Sequence, residues 1–247
     1  MITADVQFRQ TANAAALAFS QAPPYLAYRT SVVVDVPSLR RHKVIERAVE
    51  TRTADDFAVL QDLPRGQRQY AHSFPVIPTF DAISYFRIEF NGSQRDTLSF
   101  VHDVHPITFK DPQNLAHADV VVTSLRNYRA TYAPDSNERL AHINLDALPA
   151  LTRDNGSTFY LHDLYIDTVT NLPVRVIYSG TTASFACDYT TVEGHWLVQH
   201  ATYTQTFFGP LHMGRVTATA DATNSDFSFP ATPGDPRLAG PPEPPKT

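Results

Sequence analysis

The sequence predicts a mainly β protein with few helices (α+β), built on a strongly curved antiparallel sheet. After Pro24, long segments alternate apolar and polar residues, which is the period of a half-buried strand. Large aromatic residues, from a total of 15 Phe and 11 Tyr, recur on one phase of these segments. Long strands of this kind form strongly curved or closed sheets.

Length and composition favour one domain and exclude several functions. The 247 residues are 43% hydrophobic and 18% charged, which allows a large core in one all-β unit. We predict this domain over residues 1–229, followed by a Pro-rich, disordered tail over residues 230–247. With 20 Lys and Arg against 25 Asp and Glu and no long basic block, the composition argues against a general nucleic-acid binder. No apolar stretch approaches the about 20 residues of a transmembrane helix.

Helical periodicity is clear only near the N-terminus, where Pro23-Pro24 ends the pattern. We interpret this segment as an amphipathic helix that packs on the sheet. Residues 1–5 lack the charged and apolar regions of a signal peptide, so we expect a cytoplasmic protein or a mature form without its leader. The apolar residues at helical spacing are Phe8, Ala12, Ala15, Ala16 and Phe19.

The chain after the helix predicts strands joined by turns. Residues 26–36 alternate with the period of a long strand, and Pro37-Ser38 turns the chain. Residues 43–51 fit a helix as well as a strand, and we predict a strand because a hairpin continues readily after a turn. Alternation that ends at Asn91-Gly92 indicates another hairpin. Residues 102–118 lack periodicity and predict a loop with a helical turn over the sheet.

The second half of the chain predicts an antiparallel meander, because short turn clusters separate its alternating segments at regular spacing. The predicted strands are 120–132, 140–145, 160–167, 174–178, 183–192, 196–208 and 211–223.

The single cysteine, Cys187, excludes an intramolecular disulfide. Alternation places it on the strand face of Phe185 and Tyr189. We interpret it as a small, buried apolar residue rather than a nucleophile or a metal ligand.

Catalytic motifs are scarce: the chain has no phosphate-binding glycine loop, nucleophile elbow, paired-Cys motif or helical His-Glu-x-x-His. The densest polar cluster is His102-Asp103-Val104-His105, where a shared metal needs a loop conformation because positions i and i+3 of a strand face opposite ways. His162 and Asp163 are predicted on opposite faces of a strand. His200 is predicted on the face of Trp196.

Three groups of residues in the second half mark turns and strand ends in a familiar order. They are Asp167-x-x-Thr170-Asn171-Leu172-Pro173-Val174-Arg175, then Asp188-Tyr189 with Val192, Gly194 and Trp196, and finally Asp226-Phe227-x-Phe229-Pro230. This pattern resembles the bacterial outer-membrane lipoprotein carrier superfamily (LolA/LolB-like) over about residues 120–230. The resemblance implies an unclosed half-barrel, with the N-terminal helix and a helix or loop lid on its concave side. It also implies binding of acyl chains or other hydrophobic ligands, without a cofactor or catalysis.

We therefore predict a non-enzymatic protein that binds a hydrophobic, lipid-like ligand in the half-barrel, as in lipid or lipoprotein transport. The predicted partner is a hydrophobic small molecule or acyl chain, with no nucleic acid, cofactor or metal. The resemblance implies the periplasm or cell envelope, and we expect a monomer without a transmembrane segment. The predicted ligand-binding residues, taken from one strand phase, are Leu164, Ile166, Val174, Val176, Tyr178, Phe185, Tyr189, Trp196 and Val198.

Two functions of other classes stay open. A hydrolase or metal-dependent enzyme would use the histidines of the segment 102–117, which are His102, His105 and His117. A structural or interaction module on a cell envelope would use the Pro-rich tail as a linker. The large aromatic side chains fit a filled core as well as a ligand cavity.

Overall fold

The structure is a computed structural model that describes residues 2–53, 57–72, 87–90, 128–147, 160–179, 183–208 and 214–240. In these ranges the chain forms the helix α1 (Ala4–Ser20), a 3-10 turn (Pro37–Leu39) and twelve strands. The strands are β1 (Tyr25–Val36), β2 (Arg41–Arg52), β3 (Phe57–Asp62), β4 (Arg68–His72), β5 (Arg87–Phe90), β6 (Tyr128–Tyr132), β7 (Leu140–Ala147), β8 (Tyr160–Asp167), β9 (Pro173–Ser179), β10 (Ala183–Val192), β11 (His195–Phe208) and β12 (Arg215–Ser228).

All twelve strands belong to one sheet with the order β5-β4-β3-β2-β1-β12-β11-β10-β9-β8-β7-β6. Pairing is antiparallel throughout, and β1 with β12 joins the two halves of the chain. Within the described ranges β5 and β6 each pair with one neighbour, so the sheet is not closed into a barrel. The predicted fold class is confirmed. The predicted lid over 102–118 and the hairpin at Asn91-Gly92 lie outside the described residues.

One face of the sheet carries the core, and we call it the inner face. In β1, Leu26 and Tyr28 are buried on this face whereas Arg29 is exposed on the other, outer face. The core cluster collects buried side chains from β1–β3 and from β6–β11. Strands about 4.8 Å apart would put β3 and β6 about 43 Å from each other in a flat sheet. Their side chains share one cluster because the sheet curves around the core.

Helix α1 lies on the inner face and contacts β6 and β11. The ring of Phe8 meets that of Tyr128 edge to face, with centroids 6.2 Å apart. Small residues elsewhere on the buried side of the helix allow it to approach the sheet closely. The side chains of Ala16 and Phe19 are not among those that the structure describes. The apolar residues of α1 that belong to the core are Ala4, Phe8, Ala12 and Ala15.

A partly buried hydrogen bond fixes α1 to the turn between β8 and β9. The side-chain amide of Gln7 donates to Oδ1 of Asn171 at 2.9 Å. Asn171 has a φ of 57°, a left-handed conformation that asparagine tolerates better than most residues. The turn and the helix therefore hold each other in place.

The hairpin between β10 and β11 has a two-residue turn. Val192 pairs with His195, which leaves Glu193 and Gly194 as the loop. Their φ angles are 51° and 84°. Two positive φ angles match the twist of the flanking strands in a tight hairpin, and glycine adopts them without strain.

The C-terminal segment 230–240 lies against the outer face of the first strands, whereas the sequence predicted a disordered tail. The Glu50 carboxylate of β2 accepts hydrogen bonds from the backbone N–H groups of Gly234 and Asp235. Arg68 of β4 donates to the Asp235 carboxylate at 3.1 Å. The expectation fails for this part because charged side chains of the sheet satisfy its backbone and polar groups.

A buried leucine completes this attachment. Arg52 donates to the carbonyl oxygens of Leu238 and Gly240, and Leu238 is 0% exposed. The contacts therefore continue past residue 229, where we predicted the end of the domain. Residues 241–247 lie outside the described residues.

Candidate functional site

The predicted ligand-binding residues lie on the inner face of four neighbouring strands, apart from Val174. They belong to the core cluster or pack against it. We call this wall, together with the apolar side of α1 that covers it, the enclosed half. β8 contributes Leu164 and Ile166, β9 Val176 and Tyr178, β10 Phe185 and Tyr189, and β11 Trp196 and Val198.

Val174 does not share this face. Tyr165 of β8 pairs with Arg175 of β9, and the next residue, Ile166, pairs with Pro173. Val174 therefore has no cross-strand partner on β8. A bulge of this kind reverses the alternation of the strand beyond it. Val174 is therefore 37% exposed and Pro173 is buried in its place. The predicted inner position of Val174 was wrong because strict alternation does not anticipate a bulge.

Cys187 and the aromatic rings fill the enclosed half. Tyr178 and Phe185 have ring centroids 6.1 Å apart, and Tyr189 and Trp196 4.8 Å apart. Cys187 is buried between Phe185 and Tyr189, as the sequence predicts. Burial raises the pKa of its thiol, which favours the neutral, unreactive form. Burial likewise raises the pKa of Tyr189.

The inner face continues from the enclosed half onto small apolar side chains of β1 and β12. Val32 pairs with Ala222, and Val34 pairs with Ala220. Tyr203 of β11 lies opposite Ala220 from the other side. All five side chains are partly exposed, and we call them the open half. Tyr203 and Ala222 also pack against the core, so the two halves form one apolar surface.

β2 borders the open half with a column of basic side chains. Arg41, Lys43 and Arg47 lie an even number of positions from Val49, so they share its inner face. Arg41 and Lys43 are exposed, and Arg47 is partly buried. The Nε atom of Arg47 is buried and has no hydrogen-bond partner among the described residues. Burial lowers the pKa of this guanidinium, against the opposite effect of Asp62, its cross-strand neighbour on β3.

A histidine on the outer face bridges two carboxylates. Nδ1 of His200 lies 3.0 Å from Asp188 and Nε2 lies 3.0 Å from Asp221, which links β10, β11 and β12. A ring with a carboxylate at both nitrogens is best satisfied as the doubly protonated imidazolium. The hydrogen bonds of His200 with Asp188 and with Asp221 raise the pKa of this histidine, and partial burial opposes them.

The position of His200 differs from the prediction because of a bulge in β11. Gln199 has no cross-strand partner on β10, and this bulge places His200 on the face opposite Trp196.

A second histidine bridge lies on β7 and β8. His142 contacts Asp135 through Nδ1 at 2.6 Å and Asp163 through Nε2 at 3.2 Å. The hydrogen bond with His142 lowers the pKa of Asp135. His162 contacts the other oxygen of Asp163 at 2.7 Å, although strict alternation puts these neighbours on opposite faces. The register skips His162, and the bulge brings the two side chains together.

The histidines on which the enzyme alternative depends, His102, His105 and His117, lie outside the described residues. Within the part of the chain that is described, no three His, Cys, Asp or Glu side chains are arranged to hold a metal ion. Among the described residues, no helix combines the length and the apolar character that a membrane span requires.

No family model and no curated protein matches the sequence. A LolA superfamily protein of Nitrosomonas europaea is 11% identical, with a TM-score of 0.44, over 94% of this chain and 96% of that protein. A putative outer membrane lipoprotein-sorting protein domain of Vibrio parahaemolyticus is 12% identical, with a TM-score of 0.48, over 91% and 90%. A DUF1329 family protein of Desulfovibrio piger is 10% identical, with a TM-score of 0.48, over 89% and 92%.

Two of these structures are described as a LolA superfamily protein and a lipoprotein-sorting protein domain.

Sequence reasoning missed Arg47 and the open half. Val32 and Val34 were assigned to one phase of a strand, but their partners on β12 depend on pairing across almost the whole chain. Arg47 lies in the segment 43–51, whose sequence fits a helix as well as a strand. One sequence signal points to these basic side chains. Arg41, Lys43 and Arg47 occupy alternate positions, so in a strand they lie on one face.

Proposed function

We propose that the protein binds a hydrophobic, acyl-chain-like ligand on the inner face of its half-barrel, without catalysis. The observation that supports this most is the open half, a partly exposed apolar surface continuous with the core. Apolar side chains of a sheet that remain exposed on the concave side are typical of ligand sites.

The size of the side chains suits an extended chain. Ala220 and Ala222 leave space above β12, while Val32 and Val34 flank them on β1. An acyl chain that buries about ten methylenes gains roughly 8 kcal/mol before the entropic cost of binding. The predicted residues of the enclosed half would extend this surface where the ligand reaches under α1.

The role and the compartment are part of the same proposal. The motifs between Asp167 and Pro230 resemble those of lipoprotein carriers, which supports lipid or lipoprotein transport in the bacterial envelope. We further propose that the carrier acts as a monomer, since the ligand surface is formed by one sheet.

A blocking substitution tests the location of the ligand. Ala220→Phe adds a ring to the floor of the open half, and Thr219→Phe adds the same ring to the outer face of the same strand. We expect Ala220→Phe to weaken binding of a fluorescent fatty acid analogue and Thr219→Phe to leave it unchanged. Equal binding by the wild type and both variants would place the ligand elsewhere.

A further inference from the structure

We propose that the ligand is a long-chain fatty acid anion and that Arg47 binds its carboxylate. This inference rests on the proposed function, because it names the class of ligand for the same face of the sheet.

The first observation is the Nε atom of Arg47, which has no hydrogen-bond partner in the part of the chain that the structure describes. A buried donor without a partner costs free energy, and more so when it carries charge. The Nε atom of Arg47 is in this state among the described residues. A carboxylate accepts two parallel hydrogen bonds from a guanidinium, so an anion that binds here with a turn of the Arg47 side chain would satisfy this donor.

The position of Arg47 between polar and apolar neighbours is the second observation. Its cross-strand partner on β1 is Thr30, which is buried, and the next inner pair toward the open half is Val32 with Ile45. A carboxylate at Arg47 would therefore be followed directly by apolar side chains. This is the order of groups in a fatty acid.

The depth of Arg47 favours a terminal carboxylate over a phosphodiester. Arg41, at the end of β2, lies six positions away, or about 20 Å along the strand. A phospholipid carries further polar groups beyond its phosphate, which would have to be buried beside Arg47. Asp62 faces the same guanidinium and offsets part of its charge, so the pair has no excess positive charge for a ligand with more than one anionic group.

The remaining basic side chains of β2 complement the same ligand. The whole chain has a net charge of −5, yet the inner side of β2 presents Arg41, Lys43 and Arg47 in a column. Exposed cations beside a groove raise the rate at which anions are captured, and salt screens this effect. Arg41 and Lys43 would thus attract the anion that Arg47 finally holds.

The test compares ligands of equal chain length with and without the charge. Oleate and oleyl alcohol are titrated against the full-length wild type and Arg47→Gln by calorimetry. We expect Arg47→Gln to weaken oleate binding by at least about tenfold, since hydrogen bonds to charged groups contribute that much. Binding of oleyl alcohol should be unchanged. Equal loss of both ligands, or equal affinity of the wild type for both, would overturn the role of Arg47.

Two further variants and one further ligand complete the design. Arg47→Lys keeps the charge but loses the planar pair of donors, so its oleate affinity should lie between those of the wild type and Arg47→Gln. Lys43→Gln, in the exposed part of the column, should reduce the affinity less than Arg47→Gln. Tighter binding of phosphatidylglycerol than of oleate would overturn the assignment to a fatty acid. Absence of binding of all three ligands to the wild type would contradict the proposed function itself.

Discussion

The indole N–H of Trp196 donates a hydrogen bond to the carbonyl oxygen of Pro173 at 2.9 Å. The bond connects β11 with the first residue of β9, and β10 lies between them in the sheet. Both residues are buried in the enclosed half. The bulge at Val174 is what turns Pro173 toward the inner face, so a local irregularity and a long-range hydrogen bond support each other.

Replacement of this tryptophan should destabilise the fold. Trp196→Phe keeps most of the apolar volume but leaves the carbonyl of Pro173 without its donor, at a cost of about 1–3 kcal/mol. Urea unfolding measures the change. Val174→Ala, on the exposed side of the same bulge, serves as the control and should change the free energy of unfolding by less than about 0.5 kcal/mol. A Trp196→Phe variant as stable as this control would show that the hydrogen bond contributes nothing.

Phe8 is the one large apolar side chain that α1 contributes to the core, among alanines. Phe8→Ala removes the ring that meets Tyr128 and should lower the free energy of unfolding by about 3–5 kcal/mol. Val6→Ala on the same helix is the matched control, because Val6 is 42% exposed. Loss of stability in Val6→Ala equal to that in Phe8→Ala would mean that the helix does not pack in this orientation.

The sequence contains enough information to predict the strands and their order along the chain. Alternation identified β1 and β8–β12, and the helical spacing of Phe8, Ala12 and Ala15 identified the side of α1 that packs on the sheet. These features are local, since a strand or helix period repeats within a few residues.

Features that depend on pairing between distant strands were not predictable in the same way. The bulges at His162, Val174 and Gln199 arise where the register of two strands differs, and each reverses the face of its neighbours. Burial of Leu238 needs residues of β2 that lie far away in the sequence. The open half depends on the pairing of β1 with β12, which brings together the two ends of the chain.

The histidine bridge on the outer face predicts a pH dependence of stability. The pKa of His200 is raised above its ordinary value of 6.5 by the hydrogen bonds with Asp188 and Asp221. A raised folded-state pKa means that the stabilisation is complete below the unfolded value and is lost as pH rises through the folded value. The free energy of unfolding should therefore fall as pH rises above 6.5, and His200→Asn should remove this fall.

A second histidine on the same strand provides the control for this measurement. The ring of His195 contacts that of Phe229, with centroids 4.5 Å apart, rather than bridging two carboxylates. His195→Asn should keep the pH dependence of the wild type. A pH profile of His200→Asn that coincides with that of the wild type would contradict the role of the bridge.

The C-terminal segment should contribute to the stability of the first strands. Leu238→Ala removes a fully buried side chain and should cost about 2–5 kcal/mol. Pro236→Ala, two residues away and exposed, should have a much smaller effect. Thermal unfolding of both variants distinguishes an attached segment from a free tail, for which neither substitution would change the midpoint.

Native mass spectrometry of the full-length protein, purified without detergent and then incubated with fatty acids, tests the binding proposal most directly. We predict a population heavier than the bare chain by the mass of one acyl lipid, either retained from the cell or formed on addition. The Ala220→Phe variant should show less of it than Thr219→Phe. A spectrum that contains the bare chain alone, before and after incubation with both fatty acids and phospholipids, would contradict a lipid-binding half-barrel.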